Sequence, residues 1–182
     1  MNTLSVGWKY YISDSPIKFY SVLSTQGIVG IFDPEENNFN LDMWSRSNGD
    51  DIKKIIKKIN KMKLSNFSEN LLFKVLFTNA YPPRDNLTSK EFLNIKINWL
   101  IKNKRFKDFE TLLKTNPIVG NHPEGIKTLV NEYLSTADIK SACDKVKFLG
   151  KDVNNDYLDK FTIYCLINKN STPPTTDSIA SS

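Results

Sequence analysis

The sequence predicts a mainly α-helical protein in which antiparallel helix pairs stack as a short α-solenoid, with a compact helical bundle as the alternative. From residue 47 onward, apolar residues recur at spacings of three and four and helix-capping signals recur, which together predict seven helices. The links between these segments are short and polar, and strands do not alternate with helices. We therefore divide the chain into an N-terminal segment (1–46), a helical-repeat domain (47–169) and a tail (170–182) with the composition of a disordered end.

The N-terminal segment differs in composition from the rest of the chain. It is rich in aromatic and β-branched residues and is interrupted by glycine and proline. Residues 17–23 (IKFYSVL) and 27–33 (GIVGIFD) have the composition of short strands. Since no later strand is predicted to pair with them, we expect a small strand-bearing or irregular segment that docks on the helices.

The first predicted helix covers residues 50–63 and is amphipathic. Asp50 and Asp51 suit its positively polarised start, and lysines occupy the polar side. Its apolar stripe consists of Ile52, Ile55, Ile56, Ile59 and Met62. Such a stripe typically packs on a core, and we favour this reading over a helix that lies on a membrane surface.

The second segment, SENLLFKVLFTNAYPP (68–83), predicts a short helix buried on two sides. Ser68 suits the N-cap position, and Pro82 and Pro83 prevent the helix from continuing. The segment is too short to cross a bilayer as a helix.

The third and fourth helices are predicted to form an antiparallel pair. Thr88 and Glu91 have capping-box spacing at the start of the third helix, and a link of four residues, KNKR, joins it to the fourth. Residues 97–117 resemble one tetratricopeptide unit, with Phe106 after the turn and Pro117 at the end. Phe109 departs from that pattern, which has a small residue there.

Three further helices follow. Residues 122–135 place Pro123 in a first turn, residues 136–150 offer Thr136 as N-cap and Gly150 as C-cap, and residues 156–170 carry a last apolar stripe.

The sequence offers little material for catalysis, so we predict a non-enzymatic protein without a metal or cofactor. The one histidine, His122, precedes a proline at a helix start, where a solvent-exposed loop residue or a cap is expected rather than a general base. The paired carboxylates also fall at helix starts or turns. No nucleophile elbow, zinc-protease, phosphate-loop or Cys-x-x-Cys motif is present.

The two cysteines, Cys143 and Cys165, lie on the apolar faces of consecutive predicted helices. Two interpretations remain open. They are either buried free thiols, which behave as small hydrophobes, or a disulfide that ties the two helices together.

A binding role remains as the predicted function. Stacked helix pairs present a groove for another protein or for a neighbouring domain of the same chain. Large amphipathic rings dominate the energetics of such interfaces. The candidate anchors are Trp99, Tyr133, Tyr157 and Tyr164.

The net charge of +5 raises an alternative function, the binding of nucleic acid or an anionic surface. The candidate residues are Lys53, Lys54, Lys57, Lys58, Lys61 and Lys63. However, the chain has 22 lysines against 3 arginines, and phosphate and base readers favour arginine. The abundance of Lys, Asn and Ile is typical of an AT-rich genome.

No run of apolar residues is long enough to span a membrane, and the N-terminus lacks the pattern of a signal peptide. We expect a cytoplasmic protein, or a periplasmic one if the chain is a piece of an exported parent.

The order of these segments resembles a known group of proteins. The motifs GIVGIFD, LDMW, AYPP, FLNIKINWLIKNKRF, DIKSACDKV and DYLDKFTIYCLIN, across residues 27–168, are similar to a helical-repeat region of alphaproteobacterial proteins that are automatically labelled antifreeze-glycopeptide-related. In that group the Ala142-Cys143 and Tyr164-Cys165 pairs recur. The resemblance implies a bacterial source and a TPR-like repeat fold, it is compatible with a longer parent protein, and it transfers no catalytic residue.

Overall fold

A computed structural model describes residues 27–170 of the chain, and this part is mainly helical. Its seven α-helices are α1 (Gly49–Ile59), α2 (Asn66–Phe77), α3 (Ser89–Lys102), α4 (Phe106–Thr115), α5 (Pro123–Ser135), α6 (Ile139–Val146) and α7 (Asp156–Asn170). Two short 3₁₀ helices cover Glu35–Asn37 and Pro117–Asn121. The predicted helical class and the number of helices are therefore confirmed for the described residues.

The chain divides into two compact units, Met1–Val119 (unit 1) and Gly120–Ser182 (unit 2). Unit 1 contains α1 to α4, and unit 2 contains α5 to α7. The predicted boundary between residues 46 and 47 does not coincide with this division, because residues 27–46 belong to unit 1.

The predicted strands are not found in the described residues of the N-terminal segment. Residues 27–32 (hereafter the strap) have no regular secondary structure and make only an isolated parallel bridge, between Phe32 and Thr78. Residues 17–23, the other predicted strand, lie outside the described residues. The strap does dock on the helices, since Ile28 and Val29 are buried. Without a neighbouring strand, its polar backbone atoms pair with the ends and side chains of helices.

The helix α2 is shifted relative to the prediction. Its N-cap is Ser65, whose side chain accepts a hydrogen bond from the backbone N–H of Ser68, so Ser68 itself lies inside the first turn. The helix ends at Phe77, well before the two prolines. The carbonyl oxygen of Phe77 accepts from the N–H groups of Ile31 and Phe32 at 2.7 and 3.0 Å. The strap therefore ends α2, because it takes up the carbonyl and turns the chain at Thr78.

The helices α3 and α4 form a packed pair within unit 1. The predicted capping box at the start of α3 is confirmed: Thr88 and Glu91 bond reciprocally through side chains and backbone N–H groups. The apolar stripe of α1 faces the core, as favoured, with Ile52 and Ile56 buried. The stripe is narrower than predicted, because Ile55 and Met62 are more than half exposed.

Unit 2 is a small three-helix unit in which each helix contacts the other two. The buried apolar side chains in the described part of unit 2 are Ile126, Leu129, Val130, Ala142, Val146 and Leu158. The helix α6 is shorter than predicted. Asp138, not Thr136, caps its start by accepting from the N–H of Ser141, and it ends at Val146, before Gly150. Gly150 instead donates its N–H to the carbonyl of Gly120.

No helix in the described part of the chain is both long enough and apolar enough to cross a membrane.

Candidate functional site

The four aromatic residues predicted as binding anchors have different environments. Trp99 is 2% exposed, so its interpretation as a surface anchor is wrong. Its ring stacks on Phe73 in the core of unit 1, with centroids 5.9 Å apart and planes 11° apart. Tyr133 is half-buried, whereas Tyr157 and Tyr164 are exposed, and these three lie in unit 2.

An arginine explains why Trp99 is covered. The guanidinium carbon of Arg105 lies 3.7 Å from the centroid of the Phe73 ring and 5.7 Å from that of Trp99. Its Nε donates to Asp108 at 2.7 Å, and Glu69 lies 3.7 Å from its Nη1. The planar cation therefore closes the aromatic stack, while two carboxylates hold it in place.

The first candidate site is an exposed apolar surface on α7. Leu158 is fully buried within unit 2, but much of the rest of α7 is both apolar and exposed. We name this surface the α7 face and define it by Tyr157, Ile163, Tyr164, Leu166 and Ile167. Ile163, Leu166 and Ile167 are 58, 59 and 61% exposed, which is high for aliphatic side chains.

Helical geometry explains how the α7 face arises. At 100° per residue, Ile163 and Ile167 lie one turn apart on the side of α7 opposite Leu158 and Cys165. A helix that is apolar on all sides normally has neighbours on all sides. In unit 2, α7 is packed on one side only.

Several contacts hold the aromatic rings of unit 2 in place. The hydroxyl of Tyr157 donates to Oδ1 of Asn131 at 2.6 Å. The ring of Tyr164 stacks on Phe161, with centroids 5.8 Å apart and planes 17° apart. Because rings that are already oriented lose little conformational freedom on binding, they are favourable contact residues.

A disulfide fixes α7 to α6. The sulfur atoms of Cys143 and Cys165 are bonded at 2.02 Å, and their Cα atoms lie 5.6 Å apart. Of the two interpretations left open by the sequence, the structure has the disulfide. The bond joins the buried side of α7 to its neighbour and leaves the α7 face outward.

The second candidate site is a groove in unit 1 with a volume of about 400 Å³. We name it the lysine groove and define it by its charged walls and its apolar floor. The walls carry Lys53, Lys57 and Lys61 from α1 and the segment after it, and Lys102 from α3. The floor consists of Ile56 and Ile95.

Two of the four lysines are engaged within unit 1. Lys53 forms an ion pair with Glu91 at 3.2 Å and donates to the carbonyl of Asn86 at 3.0 Å. Lys102 donates to the carbonyl of Asn60 at the end of α1. Lys57 and Lys61 are exposed, and no acidic residue lines the described walls of the groove beside them.

Two titratable side chains of unit 2 act as helix caps. His122 caps α5, as predicted, because its Nδ1 accepts from the N–H of Gly125 at 3.0 Å. Within residues 27–170, no group of three or more histidine, cysteine, aspartate or glutamate side chains could hold a metal ion. The carboxylate of Asp138 also acts as a cap, and its hydrogen bonds from Ser141 lower its pKa.

Sequence reasoning missed the aliphatic residues of the α7 face. The prediction for residues 156–170 followed one stripe, through Tyr157, Leu158 and Cys165, and overlooked Ile163, Leu166 and Ile167. The signal was present, because apolar residues occur all around this helix. Unit 2 is too small to cover them all.

Comparisons of the chain with known protein families, with curated proteins and with solved structures found no match.

Proposed function

We propose that this chain is a non-enzymatic protein-interaction module and that the α7 face is its contact surface. The observation that carries the proposal is the exposure of three neighbouring aliphatic side chains, at 58 to 61%, beside two exposed tyrosines on one helix. Contiguous exposed apolar patches on a protein surface mark interaction sites.

Release of water from the apolar side chains of the α7 face would favour binding. Covering apolar surface gains about 25 cal/mol per Å², and the side chains of the α7 face present such surface without rearrangement. Tyrosines add a polar hydroxyl to a large apolar ring, which suits them to the centre of an interface. The disulfide supports the same function, because a helix held at Cys165 presents its outer face rigidly.

The partner is another protein or a further domain of a longer parent chain. The helix pairs would stack as a solenoid. The chain would then be related to the TPR-like alphaproteobacterial proteins. Both would suit a scaffold that binds by shape rather than by chemistry.

A capture experiment with one charge-introducing variant tests the proposal. The wild-type chain, Ile163→Glu and Ile139→Glu are immobilised and exposed to a lysate of the source organism, and bound proteins are quantified by mass spectrometry. Ile139 is a matched control, because it is an isoleucine of unit 2 that is 44% exposed but lies on α6. A buried glutamate in an interface costs about 2 kcal/mol or more, so Ile163→Glu should lose a partner that Ile139→Glu keeps.

Equal capture by the two variants would contradict the α7 face as the contact surface. Far-ultraviolet circular dichroism of both variants confirms that the helices are retained.

The alternative function, binding of nucleic acid or an anionic surface through the lysines of residues 50–63, is tested by salt. Binding to generic DNA that weakens steeply and linearly on a logarithmic salt scale would favour it over the protein-interaction module.

A further inference from the structure

We propose that the lysine groove of unit 1 binds an acidic peptide segment that carries an aliphatic side chain between its carboxylates. This site lies in the other unit from the α7 face and does not depend on the function proposed for that face.

The positive charge of the groove favours a negatively charged ligand. Lys53 is neutralised by Glu91, whereas Lys57 and Lys61 project from the wall without an acidic neighbour in the described lining. Lys57 lies in the last turn of α1, and Lys61 follows two residues after the end of that helix at Ile59. Both line the same groove, so a segment with two carboxylates can pair with both ammonium groups.

The apolar floor of the groove favours an aliphatic side chain between the carboxylates of the ligand. Ile56 is 9% exposed and Ile95 is half-buried, and both line the groove together with the lysines. The methylene stems of the lysines add to this apolar surface, while their charges remain in water. A leucine or isoleucine of the ligand would contact the floor, and its neighbouring carboxylates would pair with Lys57 and Lys61.

The same features disfavour a nucleic acid. Single strands bind through aromatic side chains on which bases stack, and no aromatic residue occurs in the described lining of the groove. Phosphate recognition by bidentate hydrogen bonds needs arginine, and all four cations of the groove are lysines.

The groove also does not suit a membrane surface. A helix that lies in a membrane interface inserts its apolar face into the lipid. On α1 the centre of that face packs in the core of unit 1, since Ile52 is only 6% exposed.

Two further lysines on the polar face of α1, which do not line the groove, provide a control of equal charge. The groove pair Lys57→Glu, Lys61→Glu and the control pair Lys54→Glu, Lys58→Glu each lower the net charge from +5 to +1, since each reversal removes two charges. Lys54 and Lys58 are exposed on the same helix and do not line the groove.

Fluorescence anisotropy with three labelled probes provides the test. The first probe is a short peptide in which one leucine is flanked by two glutamates on each side. The second has serine in place of the leucine, and the third is an oligothymidylate of similar charge. We expect the groove pair to weaken binding of the leucine probe at least about tenfold, the control pair to change it less than about twofold, and the serine probe to bind several-fold more weakly.

Three results would overturn the proposal: no binding of the leucine probe, equal losses in the two variant pairs, or oligothymidylate binding that is tighter than that of the peptide. Thermal melting verifies that each pair is folded. If the charge-reversed groove pair does not fold, the milder Lys57→Gln, Lys61→Gln pair is compared with Lys54→Gln, Lys58→Gln.

Discussion

The ammonium of Lys96 donates a hydrogen bond of 2.5 Å to the carbonyl oxygen of Val29, inside the core of unit 1. Lys96 belongs to α3 and is only 2% exposed, and its Nζ lies 4.7 Å from the centroid of the Phe92 ring. The bond ties the strap to α3. Burial away from water disfavours the charged form and lowers the pKa of Lys96 from 10.5 to about 7.

Lys96 should make the stability of unit 1 depend on pH. Below pH 7 the lysine is charged in both the folded and the unfolded state, and the full cost of its burial is present. Between pH 7 and 10.5 the unfolded chain binds a proton that the folded chain has released, so the free energy of unfolding rises with pH, by on the order of a few kcal/mol.

The variant Lys96→Met should abolish this rise, because it has no proton to release. Urea unfolding of the wild type and the variant at about pH 6.5 and about pH 9.5 gives the comparison. If the variant gains as much stability with pH as the wild type does, Lys96 is not the responsible group.

The side chain of Asn116 holds the next carbonyl of the strap. Its Nδ2 donates to the oxygen of Gly30 at 2.8 Å, and the residue is 5% exposed. The variant Asn116→Asp loses the donor and sets a carboxylate against a buried carbonyl, so we expect a loss of at least about 1 to 3 kcal/mol of unfolding free energy. Asn98→Asp, an exposed substitution on α3, is the control and should be close to neutral. Equal effects of the two substitutions on urea unfolding would refute the role of Asn116.

The disulfide should stabilise unit 2 but not unit 1 against unfolding. Cys143 and Cys165 are 22 residues apart, and the entropy of a closed loop of this size corresponds to about 3 kcal/mol. Reduction, or the Cys143→Ser, Cys165→Ser pair, should therefore lower the free energy of unfolding of unit 2 by roughly that amount. The three tryptophans of the chain, Trp8, Trp44 and Trp99, all precede Gly120 in the sequence, so tryptophan fluorescence does not report unit 2, whereas circular dichroism reports both units.

We expect the midpoint of the tryptophan fluorescence transition to stay the same. Part of the circular dichroism signal should be lost at a lower denaturant concentration than in the wild type. Mass spectrometry after alkylation, with and without a reductant, verifies that the bond is present. A fluorescence transition that shifts together with the circular dichroism signal would contradict the assignment of the effect to unit 2.

The carboxylate of Glu91 should contribute to stability until the solution becomes strongly acidic. The backbone N–H and the hydroxyl of Thr88 donate to it at 2.8 and 2.9 Å, and Lys53 pairs with it. These contacts lower its pKa from 4.5 to about 2. Because the folded state holds the charged form more strongly than the unfolded state does, the contribution is complete above pH 4.5 and is lost as the pH falls towards 2.

The variant Glu91→Gln should therefore lose less stability than the wild type between about pH 5.5 and about pH 3 in thermal unfolding. Glu36→Gln, which changes an exposed carboxylate of the same unit, is the control. If the acid sensitivity of Glu91→Gln equals that of the wild type, the capping box is not its source.

The helices could be predicted from the sequence because their signals are local. Apolar spacing and caps depend on residues three or four positions apart, which explains why the seven helices and the Thr88–Glu91 box were correctly predicted. His122 was identified as a cap for the same reason.

Features that depend on distant residues could not be predicted in this way. The helix α2 ends at Phe77 because the strap, 45 residues earlier in the chain at Phe32, bridges to Thr78. Trp99 is buried because Arg105 and Phe73 cover it, and neither contact follows from the periodicity of α3. Lys96 also lies in the core, where lysine is rarely found, so its burial could not be predicted from the residue type.

The candidate site was predicted only in part. Two of its tyrosines, Tyr157 and Tyr164, were named from the sequence, but their exposure depends on how few helices surround α7. A sequence pattern shows that a helix is apolar on several sides, but it does not show how many neighbours are available to cover them.

Site-directed photocrosslinking tests the protein-interaction function most directly. A photoreactive phenylalanine analogue is placed at position 163, on the α7 face, or at position 139, on α6, in the chain expressed in its source organism. If the α7 face is the contact surface, irradiation yields a discrete protein adduct at position 163 and none at position 139. The absence of an adduct at position 163, or the same adducts at both positions, would contradict the proposed function.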